Sequence, residues 1–351
     1  MMKPLKYIQL ALALLITFLL GVLLSPNTNS VSKLTHSRNT YIDGHYELNN
    51  NNVIEPFDNS TESQQLMNNK SHGPSVGYID LDERIPDVDH IYDKLVIVTA
   101  FSQNHFMEAK GIIGTAQRQM PSKKIVVYDL GLNGETKKAV QSYCNVELRP
   151  FPFAKYPKFV SNLHVFSWKP IIIKTTLNEF GAIYWGDAAV RFKKSLKELI
   201  PYANNHHGYM SLMHSFDPKV HSPIRHQYYY TNKGMFEFLG INRTMYYQEH
   251  NASPHPTANR QLFINSTTLQ TNIVQPLFEC AMQYDCISPN GSKVGTHRFD
   301  ASALALIIYQ NLKYEWTPDN NDNNKFNEVI GMERSNGSKY KPRTCNEETR
   351  L

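Results

Sequence analysis

Hydrophobic positions along the chain fall into three regimes. From Tyr7 to Leu24 the run YIQLALALLITFLLGVLL carries no charge for 18 residues, which as a helix spans about 27 Å and predicts one membrane crossing. Between Ser25 and about Ile91 apolar periodicity disappears and Asn, Ser, Gln and His dominate, including the Asn49–Asn52 run, which predicts a flexible stem. From Lys94 the apolar residues return in short blocks separated by helical spacing. Leu95–Phe101 (LVIVTAF) has the composition of a strand buried on both faces. Phe106, Ala109, Ile113, Ala116 and Met120 follow near helical spacing, with Asn104 expected to cap that helix and Pro121 to stop it. Ile125–Leu130 predicts a second strand, Thr136–Tyr143 a short helix and Val146–Phe151 a third strand. Trp168–Phe180 predicts a helix that tolerates Pro170 in its first turn and leads through Gly181 into Ala182–Phe192. Alternating strands and helices predict an α/β fold with a mainly parallel sheet flanked by helices, its ligands beyond the carboxyl ends of the strands at a switch point.

Charge sets the topology. Lys3 and Lys6 precede the first apolar run and polar SPNTNS follows it, so the N-terminus is expected in the cytosol and the rest in the lumen, a type II arrangement. A cleaved signal peptide, which would give a secreted form beginning after Leu24, is the alternative; the length of the run and its bulky end at Val22, Leu23 and Leu24 favour an uncleaved anchor. The expected organisation is a cytosolic tail (1–6), a transmembrane signal anchor (7–24), a luminal stem (25–91), a catalytic-type domain (92–318) and a polar tail (319–351). Hydrophobic residues make up 41% of the chain and charged ones 19%, so most of it can bury a core. Lys plus Arg exceed Asp plus Glu by 36 to 31, too small a surplus for a nucleic-acid binder.

Lumen exposure predicts N-glycosylation at N-x-S/T, found at Asn59, Asn69, Asn242, Asn251, Asn265, Asn290 and Asn336. Asn251 is the weakest acceptor because Pro254 follows its Ser253. Cys144, Cys280, Cys286 and Cys345 permit several disulfide pairings. Cys280 with Cys286 is favoured, provided the local helix ends between them, and four buried thiols are the alternative.

Several chemistries are excluded by pattern. Neither G-x-G-x-x-G nor G-x-x-x-x-G-K-[ST] occurs after the first strand. The G-x-S-x-G at Gly73–Gly77 lies in the stem without the buried strand and helix a nucleophile elbow needs. Transfer from a nucleoside diphosphate sugar would leave concentrated negative charge, to be met by a metal or by cationic side chains. Two carboxylates at i and i+2 on a strand end can share such a metal. Asp187 follows Ile-Tyr-Trp-Gly at such an end, but Ala189 and Trp185 occupy the flanking positions. His206, His207, His214, His221 and His226 cluster downstream without metal-ligand spacing, so a solvated loop is expected there.

The stretches VTAFSQNHFMEAKGIIGT, KIVVYDLGL, CNVELRPFPFAKYP, SWKPIIIK, IYWGDAAVRF, TNKGMFEFLGI, CAMQYDCISPNG and HRFDASALALIIY span about Lys94 to Leu312. In that order they resemble a GT-A-type glycosyltransferase of the Golgi. More closely, they resemble a family of animal type II membrane proteins with a nucleotide-diphospho-sugar transferase-like domain. The resemblance implies a GT-A-like (Rossmann-like) fold and a Golgi membrane location with a luminal catalytic domain. It implies a nucleotide sugar donor, with a UDP-sugar expected, a glycan acceptor on protein or lipid, and a divalent metal, Mn2+, on Asp187. Residue by residue, it implies that Thr99, Ala100, Phe101 and Asp129 bracket uridine, that Lys169 and Arg191 neutralise diphosphate, and that Asp187 is catalytic. Asp300 would act as a general base on the acceptor hydroxyl, with Ala301 where related transferases often have Gln. Asp300 is equally a favourable N-cap for an apolar helix Ala301–Leu312. Ala189 and Ala301 motivate a second reading, a luminal glycan- or protein-binding protein that keeps this fold without transfer activity.

Overall fold

The continuous apolar runs become the middle of a six-stranded sheet. The structure, a computed structural model, describes residues 87–214, 227–248, 255–312, 320–334 and 339–345, all within one unit, Ser71–Leu351. The expected anchor Tyr7–Leu24, the stem to residue 86, Asn59, Asn69, Asn251, Asn336, His221 and His226 lie outside the described residues. No helix among the described residues is long and apolar enough to cross a membrane.

Strands β1 (Val96–Phe101), β2 (Ile125–Asp129), β3 (Val146–Pro150) and β4 (Ala182–Gly186) are parallel. Strand β5 (Val190–Phe192) leaves this sheet and pairs antiparallel with β8 (Ile330–Met332). Strands β6 (Tyr209–His214) and β7 (His255–Ile264) complete the main sheet in the order β3-β2-β1-β4-β7-β6, with β7 antiparallel to both neighbours. The fold is therefore mixed α/β with a mostly parallel central sheet.

Side chains alternate across each strand, so the sheet divides two cores. Val98, Ala100 and Trp185 belong to one face, and Ile97, Phe101 and Tyr184 to the other. Every residue of β1, β2 and β4 is buried, which is why these strands read as unbroken apolar runs rather than alternating ones.

Helix α1 (Val88–Lys94) starts at Asp87, whose carboxylate accepts from the N–H groups of Asp89 and His90, and it places Ile91 in the core. Helix α2 (Phe106–Gln119) buries Ala109, Ile112, Ile113 and Ala116. Asn104 does not cap it. A 3-10 turn at Gln103–His105 intervenes, and the Asn104 side chain instead accepts the Ser102 hydroxyl. Helix α3 (Gly134–Gln141) is capped by Asn133, which accepts from Thr136 N. Helix α4 (Trp168–Phe180) ends on Gly181 at φ 77°, a left-handed cap that glycine takes without a Cβ penalty. Helices α5 (Asp300–Leu312) and α6 (Asn320–Val329) follow.

Both disulfides form. Cys280 bonds Cys286 because the helix Gln275–Ala281 ends between them. Cys144 bonds Cys345, and around that bridge Cys144 N donates to Arg343 O while Cys345 N donates to Ser142 O. Gln117 adds bonds to Cys144 O and to both backbone groups of Arg343. The polar C-terminal segment is thus built into the fold through α6, β8 and the disulfide.

Candidate functional site

Strand order locates the site before any side chain is considered. The chain steps outward from β1 to β2 to β3, then returns to place β4 on the other side of β1. The switch point lies between the carboxyl ends of β1 and β4, where open α/β sheets bind ligands. Helix α4 runs back along the sheet to feed β4, so its first turn stands beside the last residues of that strand. Lys169 is in that first turn and Asp187 is the first residue beyond β4.

Asp300, the first residue of α5, comes to the same place from a distant part of the chain. Lys169 is buried, with 4% exposure, and its ammonium lies 3.1 Å from Asp187 Oδ1, 3.4 Å from Asp187 Oδ2, 3.0 Å from Asp300 Oδ2 and 3.4 Å from the Ala258 carbonyl oxygen. The Asp187 side chain is 36% exposed, while that of Asp300 is 9% exposed. Trp185 Nε1 donates to Asp187 Oδ1 at 2.9 Å, and Asp187 N donates to Asn259 O at 2.9 Å, so this carboxylate is aimed from both ends. The rings of Phe166, Trp168 and Trp185 stand 5.7 Å, 5.9 Å and 5.7 Å from the ammonium.

The backbone is strained at two points of this site. Phe166 has φ 59° and Phe299 has φ 47°, a region bulky side chains rarely enter, and their rings pack 5.9 Å apart. Each lies just ahead of the residue that carries charge, Phe166 before Lys169 and Phe299 before Asp300.

One ammonium serves two carboxylates, and burial decides which of them yields. Burial raises the Asp300 pKa above the usual carboxylate range; Lys169 opposes this, and the charge of Asp187 adds to it. Burial pulls the Lys169 ammonium down, but Asp187 and Asp300 together outweigh it, so its pKa is raised and it stays charged. Asp300 does not act as the cap of the helix that follows. Its carboxylate is directed to Lys169, and the Ser302 hydroxyl accepts from Arg298 N at the helix start.

The structure brings Asp187, Lys169 and Asp300 together and leaves Ala100 on the same face of the sheet. It does not bring the other expected nucleotide contacts there. Thr99 and Phe101 alternate to the opposite face, where Thr99 is fully buried and Phe101 packs with Ile97 and Leu132. Asp129 closes its own turn: Oδ1 accepts from Gly131 N at 2.8 Å and Leu132 N at 2.7 Å, and Oδ2 pairs with Lys137 at 2.9 Å. Burial pushes its pKa up, but Lys137 and those N–H groups prevail and hold it below its usual value. Arg191 is also committed elsewhere. It donates to the carbonyls of Ala188, Val190 and Glu108 and lies so close to Gly111 that a Cβ there would come within 2.0 Å of its Cζ.

The missing partner of Asp187 is supplied across space. Ala189 is buried, its carbonyl accepting from Glu333 N, and the second carboxylate of the site is Asp300. Sequence reasoning missed Trp168, Trp185, Phe166 and the Ala258 carbonyl. The available signal was a lysine inside the apolar window Trp168-Lys-Pro-Ile-Ile-Ile-Lys174. Among the expected glycosylation sites, Asn242 and Asn290 are exposed. Asn265 is buried at 1% exposure, with Oδ1 accepting from Gln270, and has no room for a glycan.

A divalent metal on Asp187 does not fit these residues. Among the described residues no group of three His, Cys, Asp or Glu side chains could hold one. His206 of the histidine stretch pairs with Asp322 at 2.7 Å. A separate cleft of about 210 Å³ lies between β2, β3 and α4, lined by Tyr128, Phe151, Tyr156 and Ile171, but its Arg149 is engaged by Glu147 and Glu179.

A family model described as a protein of unknown function (DUF1647) matches residues 61–174. No curated protein matches the chain by sequence. Among solved structures, the chain is similar to apo WbbM, a bifunctional glycosyltransferase, at 14% identity and a TM-score of 0.39, covering 63% of this chain and 38% of that one. It is similar to core-mannan synthase A from Aspergillus fumigatus in its Mn/GDP form at 10% identity and a TM-score of 0.38, covering 61% and 69% of the two chains. It is also similar to apo mouse xyloside xylosyltransferase 1 at 10% identity and a TM-score of 0.39, covering 63% and 83%.

Proposed function

We propose that the chain is a glycosyltransferase taking a nucleotide-diphosphate sugar, with a UDP-sugar as the first donor to test, and a glycan on protein or lipid as acceptor. The observation that carries this reading is the Asp187–Lys169–Asp300 group at the switch point of the sheet. A carboxylate made more basic by burial is suited to take a proton from an acceptor hydroxyl, which is the role assigned to Asp300. Asp187, more exposed and aimed by Trp185, is the carboxylate that meets the donor. The proposed setting is the Golgi membrane, with Tyr7–Leu24 as a type II anchor; the lysines ahead of it, the two disulfides and the exposed Asn242 and Asn290 support a luminal domain.

Calorimetry of the full chain against UDP and GDP, followed by hydrolysis assays on the corresponding sugars, tests the reading. Asp187→Asn is expected to lower turnover by about 100-fold or more while nucleotide still binds. A folded protein that binds neither nucleotide would remove its basis. The second reading, a binding protein without transfer activity, draws on the buried Ala189 and Ala301 side chains, which place no polar group at either position. It predicts a glycan or protein ligand held equally by wild type and Asp187→Asn, with no turnover in either.

A further inference from the structure

We infer that Lys169 is the resident cation of this site: its ammonium occupies the position between Asp187 and Asp300 that a divalent ion would otherwise take. The chain therefore handles a nucleoside diphosphate without a metal. The first statement rests on the protein alone, and the second rests on the proposed donor.

The oxygens around the Lys169 nitrogen are those a metal would use. Both oxygens of Asp187, one of Asp300 and the Ala258 carbonyl lie between 3.0 and 3.4 Å from it, distances suited to an ammonium and too long for a small divalent ion, which needs oxygen at about 2.1 Å. The lysine is fixed in place. It is almost wholly buried, its backbone N–H is bonded to Phe166 O in the first turn of α4, and three aromatic rings wall its end. The carboxylates are fixed too, because Trp185 takes one oxygen of Asp187 and Asp300 is rooted in α5. A metal would have to expel a charge that cannot swing out. Arg298, exposed and within electrostatic reach of Asp300, donates to the Tyr230 hydroxyl at 2.9 Å and has further N–H groups for a diphosphate.

Two of the three tryptophans of the chain, Trp168 and Trp185, line this cage, so Mn2+ entering it quenches their fluorescence. Titration of the wild-type full chain with MnCl2 is expected to give no saturable quenching. Lys169→Ala is expected to gain it, and Lys169→Ala/Asp187→Ala to lose it again. Saturable quenching of the wild type that vanishes in Asp187→Ala would overturn the inference. So would a Lys169→Ala protein, folded by circular dichroism, that still ignores Mn2+. If that variant does not fold, Lys169→Gln removes the charge while keeping most of the side chain, and the same two outcomes apply. In a separate arm, UDP and GDP are titrated calorimetrically in EDTA and in MnCl2. Equal affinity supports the metal-free site, and binding that needs Mn2+ and is lost in Asp187→Ala overturns it. Absence of nucleotide binding in both buffers sinks the donor assignment instead, and the Mn2+ titrations still decide the lysine.

Discussion

Two aspartates end neighbouring parts of the same sheet, and they do different things. Asp129 closes β2 and finds every partner within eight residues: the N–H groups of Gly131 and Leu132 and the ammonium of Lys137. Asp187 follows β4 and is held by a lysine from the preceding helix, which it shares with an aspartate from a helix far along the chain. The first carboxylate is a local turn device whose pKa is lowered; the second belongs to a non-local group in which two carboxylates compete for one cation. A carboxylate at a strand end is therefore no signature of a site. What distinguishes the two is whether the charge is satisfied by its own loop.

The largest expected effect follows from removing the shared cation. Lys169→Met leaves two carboxylates without their partner and is expected to cost about 3–5 kcal/mol in urea denaturation, with part of it recovered in Lys169→Met/Asp300→Asn. A loss under about 1 kcal/mol would place Asp187 in the same local class as Asp129.

Acid then separates the two regions. His297, whose ring packs 4.9 Å from Phe299 beside Asp300, is neutral and buried, bonded to Asn232 N and Ile287 O, with its pKa pushed down to about 4 by burial. Its folded pKa lies below the unfolded value of 6.5, so stability present above that pH declines as pH falls toward 4, by about 3 kcal/mol in all. The Asp129 turn keeps its stability over that window and loses it only as pH falls below the ordinary carboxylate range. Denaturation curves from pH 7 down to about 2 should lose the upper limb in His297→Asn and the lower one in Asp129→Asn. Asp300 has the opposite sign: with its pKa raised, its contribution is present at low pH and lost as pH rises through the folded value, so Asp300→Asn flattens that decline. A single acid limb unaffected by His297→Asn would erase this distinction.

Asp129→Ala is expected to cost about 2 kcal/mol, the worth of a charged group on backbone N–H donors, and to leave nucleotide affinity unchanged. If it weakened nucleotide binding, the assignment of Asp129 to a turn alone would fail. The smallest stability change belongs to Asp187→Ala, under about 1 kcal/mol, because that side chain is the more exposed of the two and Lys169 keeps Asp300 as its partner. Stability and turnover would thus respond in opposite order at the two strand ends.

The elements were largely legible in the sequence. Strands buried on both faces appear as unbroken runs, and Trp168–Phe180 is bounded by Gly181, so β1, β2, α4 and the position of Asp187 after Ile-Tyr-Trp-Gly follow from short-range rules. The pairing of Cys280 with Cys286 is similarly local. Asn104 misled because a 3-10 turn displaced the helix start, a choice made by the chain's path from β1. Which face each residue serves required the sheet. Thr99, Phe101 and Asp129 sit near the right strand ends, yet pleating turns Thr99 and Phe101 away from the face that holds Lys169, and Asp129 is taken by its own turn. Arg191 was captured by the neighbouring carbonyls of Ala188 and Val190 and by that of Glu108, which only the packing of α2 against β5 brings within reach. The meeting of Asp300 with Lys169 and Asp187 was likewise tertiary, since neither spacing nor periodicity relates residues on separate helices. By itself the sequence determined where strands and helices lie, because capping, turns and apolar runs act over a few residues; the tertiary structure alone decided which charges share one buried space, because that depends on strand order and crossing geometry.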